Sequence, residues 1–138
     1  MNTQNYPTWL VPLDIAKELK EIGFDKECIF TNSYLTENIC FEIECNDDYY
    51  LSFSDLSLQK NTENNLATIP TWEQVFEWFR ERGYYGNLKA TNKGTSAYIF
   101  YPKLDNGEFW EFDYKESYEE ARETLLLKLI DLYKTANQ

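Results

Sequence analysis

The segment that most constrains the fold is residues 70–83, PTWEQVFEWFRERG, because it combines a helix start signal, an apolar stripe and a stop signal. Thr71 and Gln74 have the spacing of a capping box, in which each side chain satisfies a backbone N–H of the first turn. Gly83 suits the left-handed residue at which many helices end. We expect Trp78 to be partly exposed at the edge of the stripe. The helix must bury the large apolar residues of one face, which are Trp72, Val75, Phe76 and Phe79.

Two further segments have a helical pattern. Residues 12–22 carry apolar side chains at helical spacing, and Gly23 after them predicts a left-handed cap. Residues 117–133 have a broad apolar face, and Ser117 and Glu120 at its start repeat the capping-box spacing. The chain therefore has a predicted helix near each end and one in the middle.

The segments between these helices show the alternation of β-strands, most clearly in residues 39–45. The turns between neighbouring strands are short, and short turns require antiparallel pairing. The predicted fold is α+β, an antiparallel sheet of about five to six strands with three helices packed on it, in the order helix, strands, helix, strands, helix. The predicted strands besides residues 39–45 are 28–34, 49–53, 84–91, 96–101 and 108–114.

The length and composition fit one domain that covers residues 1–138, since 43% of the 138 residues are hydrophobic and can form a core. Residues 1–11 are predicted to be an extended lead-in. Residues 54–69 are rich in Ser, Asn, Gln and Lys, which predicts a surface loop. The chain has no apolar run of membrane-spanning length and no signal-peptide pattern at its start, so we expect a cytoplasmic protein. The three cysteines are expected to be buried free thiols.

The charge balance is strongly acidic, with 24 acidic against 13 basic residues and a formal net charge of −11. Such a charge repels phosphate backbones and anionic lipid, which disfavours direct binding to nucleic acid or membrane. It favours a basic partner.

The sequence predicts no catalytic, cofactor or metal site. The chain has no histidine, which removes the commonest general base and transition-metal ligand, and it has neither a C-x-x-C pair nor a phosphate-binding glycine loop. Carboxylates between residues 42 and 48 could chelate a cation or act as acid and base, but their spacing lacks the calcium-loop pattern. We interpret them as surface.

One constellation supports a functional hypothesis. Acidic residues two apart on a strand lie about 6.7 Å apart on one face, so Glu42 with Glu44, and Glu111 with Asp113, each form a spaced pair of negative charges. If both strands share a sheet face, the protein presents a contiguous acidic surface that could occupy a basic groove built for nucleic acid. The predicted partner-binding residues are Glu42, Glu44, Asp47, Asp48, Glu111 and Asp113.

Three segments, IAKELKEIGFDKEC, PTWEQVFEWFRERG and SYEEARETLLLKLIDL, together resemble a group of small acidic proteins of Bacteroidetes and especially of their phages and mobile elements. The strands between these segments match that group poorly. The resemblance implies no activity, cofactor or site residue. It implies a context in which small acidic proteins include inhibitors of host defence nucleases, among them anti-CRISPR proteins.

The functional expectation is a non-enzymatic protein that acts by protein–protein contact inside a bacterial host cell. Its most concrete form is a phage-type inhibitor that engages the basic groove of a nucleic-acid-guided defence nuclease. The first alternative is a structural or assembly module of a phage or mobile element, with an aromatic interface around Trp9, Trp78 or Trp110. The second is a small carboxylate-dependent enzyme, which would need a concave pocket lined by at least two carboxylates.

Overall fold

The computed structural model describes the chain in six ranges, and in strands 39–43, 56–57 and 109–115 it describes the backbone alone. The ranges are 6–32, 39–43, 56–63, 67–101, 109–115 and 117–137. Within them the fold is α+β, as predicted, and the chain divides into two compact units, residues 1–74 and 75–138. The elements in order are α1 (Leu13–Glu21), β1 (Phe30–Asn32), β2 (Ile39–Ile43), β3 (Leu56–Ser57), β4 (Ala67–Ile69), α2 (Trp72–Glu81), β5 (Tyr85–Thr91), β6 (Gly94–Phe100), β7 (Phe109–Lys115) and α3 (Tyr118–Ala136).

The expected single sheet of five to six strands is not confirmed, because the described strands form two separate sheets. The first has four strands in the order β3-β2-β1-β4, and the second has three in the order β5-β6-β7. All described pairs are antiparallel, as the short turns predicted. The predicted hairpin arm at 49–53 lies outside the described residues.

Two short strands lie within residues 54–69, the range predicted as a surface loop. Strand β3 pairs with β2, and β4 pairs with β1 through Thr31 and Thr68. The three residues of β4 are buried. A three-residue strand is too short to show alternation, so its polar neighbours dominated the sequence pattern.

Helix α1 packs against β4 in the first unit and ends in the predicted left-handed cap. Gly23 has φ +95°, the N–H of Phe24 donates to the carbonyl of Leu19 at 3.0 Å, and the N–H of Gly23 donates to that of Lys20 at 3.1 Å. This pair of bonds is the Schellman arrangement. It satisfies carbonyls that the helix end would otherwise leave without a donor.

The lead-in contacts the chain just before helix α2. Leu10 and Val11 are buried, and the N–H of Val11 donates to the carbonyl of Pro70 at 3.0 Å. The indole N–H of Trp72 donates to the carbonyl of Thr8 at 2.9 Å. These bonds fix the lead-in in the first unit.

Helix α2 has both predicted end signals. The N–H of Thr71 donates to Oε1 of Gln74 at 2.9 Å and the N–H of Gln74 donates to Oγ1 of Thr71 at 3.2 Å, which confirms the capping box. Gly83 has φ +90° at the other end. The prediction for Trp78 is wrong, because this side chain is only 1% exposed. Phe76 is half-buried instead.

Helix α3 packs on the three-stranded sheet of the second unit. Oγ of Ser117 accepts a hydrogen bond from the N–H of Glu120 at 3.0 Å, so this predicted cap also forms. Gly86 in β5 allows a close approach, because a Cβ there would lie 3.1 Å from Cδ1 of Leu129 and 3.3 Å from Cδ2 of Leu125. The helix therefore covers the sheet face to which Gly86 belongs.

Candidate partner-binding surface

The three predicted acidic residues within the described strands lie in two different sheets. Glu42 is in β2, opposite Ser57, whereas Glu111 and Asp113 are in β7 of the second unit. The strands of Glu42 and Glu111 therefore do not share a sheet face, and that part of the hypothesis is wrong. The remaining members, Glu44, Asp47 and Asp48, lie outside the described residues.

The sheet of the second unit has one buried face. Ala97 and Ile99 are buried with 0% and 1% exposure, and they belong to the same face as Gly86, since Gly86 pairs directly with Ile99. Small and branched side chains at these positions let α3 pack closely. This face is core.

The opposite face of the same sheet carries exposed aromatic rings. Tyr85 is 41% exposed, Tyr98 38% and Phe100 42%. Tyr85 and Phe100 are direct cross-strand partners, and their ring centroids are 6.3 Å apart. Tyr98 lies two residues before Phe100 on the same strand, so its side chain points to the same side. We call these three side chains the aromatic face.

One of the predicted acidic positions adjoins the aromatic face. In β7, Glu111 is the register partner of Tyr98, and Phe109 is the partner of Phe100. Directly paired positions of antiparallel strands belong to the same side of a sheet. Asp113 lies where the register between β6 and β7 shifts, and Lys89 is an exposed cation on β5. The sheet thus combines exposed aromatic rings with acidic positions.

The aromatic residues named in the alternative hypothesis have different environments. Trp78 is buried, and the register partner of Trp110 is the buried Ile99 of the face under α3. Trp9 is 54% exposed and lies 5.6 Å from Phe30, measured between ring centroids.

Sequence reasoning missed the aromatic face. Its signal was the alternation of Tyr98 and Phe100 with small or aliphatic residues.

The second unit also contains an arginine stacked on an aromatic ring. The guanidinium carbon of Arg82 lies 3.7 Å from the ring centroid of Trp78, and Nη1 of Arg82 donates to the carbonyl of Trp78 at 3.0 Å. A second guanidinium, that of Arg122, lies 5.8 Å from the ring centroid of Tyr118. Desolvation by burial lowers the pKa of Arg122. Aromatic rings of this chain thus already hold arginine within the fold.

Burial raises the pKa values of a thiol and a phenol among the described residues. Burial raises the pKa of the Cys28 thiol to about 11, so the nucleophilic thiolate is scarce at neutral pH. Burial is also the main reason for the raised pKa of Tyr84, whose hydroxyl donates to that of Tyr101 at 3.2 Å while the two rings stack at 4.3 Å. Both groups stay neutral at pH 7.

One depression among the described residues has two carboxylates in its lining. Asp25 and Glu63 line an open depression of about 350 Å³ beside Lys20, and both are exposed to solvent. A catalytic carboxylic acid is usually held in a desolvated site. In the part of the chain that the structure describes, no group of three or more His, Cys, Asp or Glu residues is placed to hold a metal ion.

Among the helices of the described ranges, none has the length and apolar character that a membrane crossing requires. Comparison of the chain with protein-family models, curated proteins and solved structures gave no match.

Proposed function

We propose that this protein acts without catalysis, by contact with a basic surface of another protein. The observation that carries the proposal is the excess of 24 acidic over 13 basic residues, with the acidic position Glu111 of β7 paired with the exposed Tyr98. Opposite charges across an interface raise association rates and select the partner. Exposed aromatic rings add contact area that two hydrated charged surfaces lack.

The most concrete form of the proposal is a phage-type inhibitor of a bacterial nucleic-acid-guided defence nuclease, acting in the host cytoplasm. A nuclease groove that binds nucleic acid carries Lys and Arg against phosphates. An acidic protein can occupy such a groove by presenting carboxylates where phosphates would lie. The resemblance to small acidic proteins of phages and mobile elements supports this context.

The test is inhibition of a purified RNA-guided nuclease, with DNA binding as the readout. We expect the protein to compete with target DNA and to lose potency between about 0.1 M and about 1 M salt, as the Debye length falls from about 10 Å to about 3 Å. Inhibition that salt leaves unchanged would contradict an electrostatic mechanism.

Charge reversal locates the contact. We compare E42K/E44K and E111K/D113K with the control E21K/E123K, whose positions are exposed on helices α1 and α3. All three variants change the net charge equally. A loss of inhibition of about tenfold or more in a strand variant, with the control much less affected, supports that strand as the contact. Equal losses in all three would reject a specific acidic surface.

The second candidate function is an assembly module of a phage or mobile element, and the exposure of Tyr85, Tyr98 and Phe100 favours it. Such an interface would be mainly apolar, so its affinity should resist salt and fall when the rings are truncated. The salt series above therefore separates the two functions. The phage or mobile-element particle proteins are the partners to test for this candidate.

A further inference from the structure

We draw no further inference here: the strongest candidate, the exposed aromatic face that Tyr85, Tyr98 and Phe100 form on strands β5 and β6, carries none because nothing in the described part of the structure shows what covers it.

Discussion

Replacing Gly83 with alanine isolates the conformational cost of ending helix α2. Gly83 has φ +90°, and its N–H donates to the carbonyl of Arg80 at 3.0 Å. The next N–H, that of Tyr84, donates to the carbonyl of Phe79 at 2.9 Å. A continuing right-handed helix could not make this closing pair of bonds. The left-handed residue is therefore required at position 83.

The expected cost follows from the space around Gly83. Apart from the two adjoining residues, nothing lies within 4 Å of a Cβ built at this position, so alanine meets no clash with the rest of the fold. A left-handed backbone costs an ordinary L-residue about 1–2 kcal/mol. Alanine also reduces the conformational entropy of the unfolded chain, and this effect offsets about 0.4–1 kcal/mol of that cost. We expect G83A to lower the free energy of unfolding by about 1 kcal/mol, and G83N to lower it less because asparagine tolerates this conformation.

The assay is urea and thermal unfolding followed by circular dichroism. A loss of about 1 kcal/mol corresponds to a decrease in Tm of roughly 3–5 °C for a chain of this length. If G83A is as stable as the original protein, or if G83N costs as much as G83A, the left-handed cap is not what ends the helix.

A matched variant in the first unit tests the single-domain prediction. Gly23 has φ +95° and also has no atom within 4 Å of a built Cβ, so G23A should cost about the same as G83A. A single domain unfolds in one cooperative transition, which both variants should shift. Two transitions, each shifted by one variant only, would show that the units at residues 1–74 and 75–138 unfold independently.

Three further predictions concern single groups. T71V removes the oxygen that accepts from the N–H of Gln74, and urea unfolding should show a loss of about 1 kcal/mol; full stability would contradict the cap. G86V places a branched side chain where even a Cβ would be 3.1 Å from Leu129, so it should cost about 1–3 kcal/mol in the same assay, and an unchanged midpoint would contradict the close packing. Burial raises the pKa of Tyr84 above 10.0, so the stability that this neutral phenol contributes is complete below pH 10 and is lost as the pH rises further. The free energy of unfolding should therefore decrease less steeply with rising pH in Y84F than in the original protein, and equal slopes would contradict this assignment.

The helix ends could be predicted because their signals are local. The capping box of Thr71 and Gln74 lies within four residues, and the glycine cap at Gly83 needs only its own backbone freedom. The burial of Trp78 could not be predicted in this way. The ring centroid of Tyr133 lies 5.1 Å from that of Trp78, and this contact joins residues more than fifty positions apart.

The partition of strands into two sheets also depends on distant residues. Strand β4 pairs with β1 across a long stretch of chain, and nothing within Ala67–Ile69 specifies that partner. The acidic hypothesis required Glu42 and Glu111 to share a sheet face, and the sequence around each residue does not show which sheet its strand joins. The aromatic face was hidden because apolar residues occupy both sides of β6, which removes the usual polarity signal.

The hydrogen bond from Trp72 to Thr8 has a consequence for biosynthesis. The two residues are 64 positions apart, and a ribosome adds about 5–20 residues per second. Trp72 is therefore synthesised roughly 3–13 s after Thr8. During that interval Leu10 and Val11, which are buried in the finished protein, have no docking site on residues 70–72. Residues 8–11 therefore reach their final contacts only after residues 70–72 have been synthesised. A substitution that slows the folding of residues 70–72 should lengthen the period in which the nascent chain is open to chaperones and proteases.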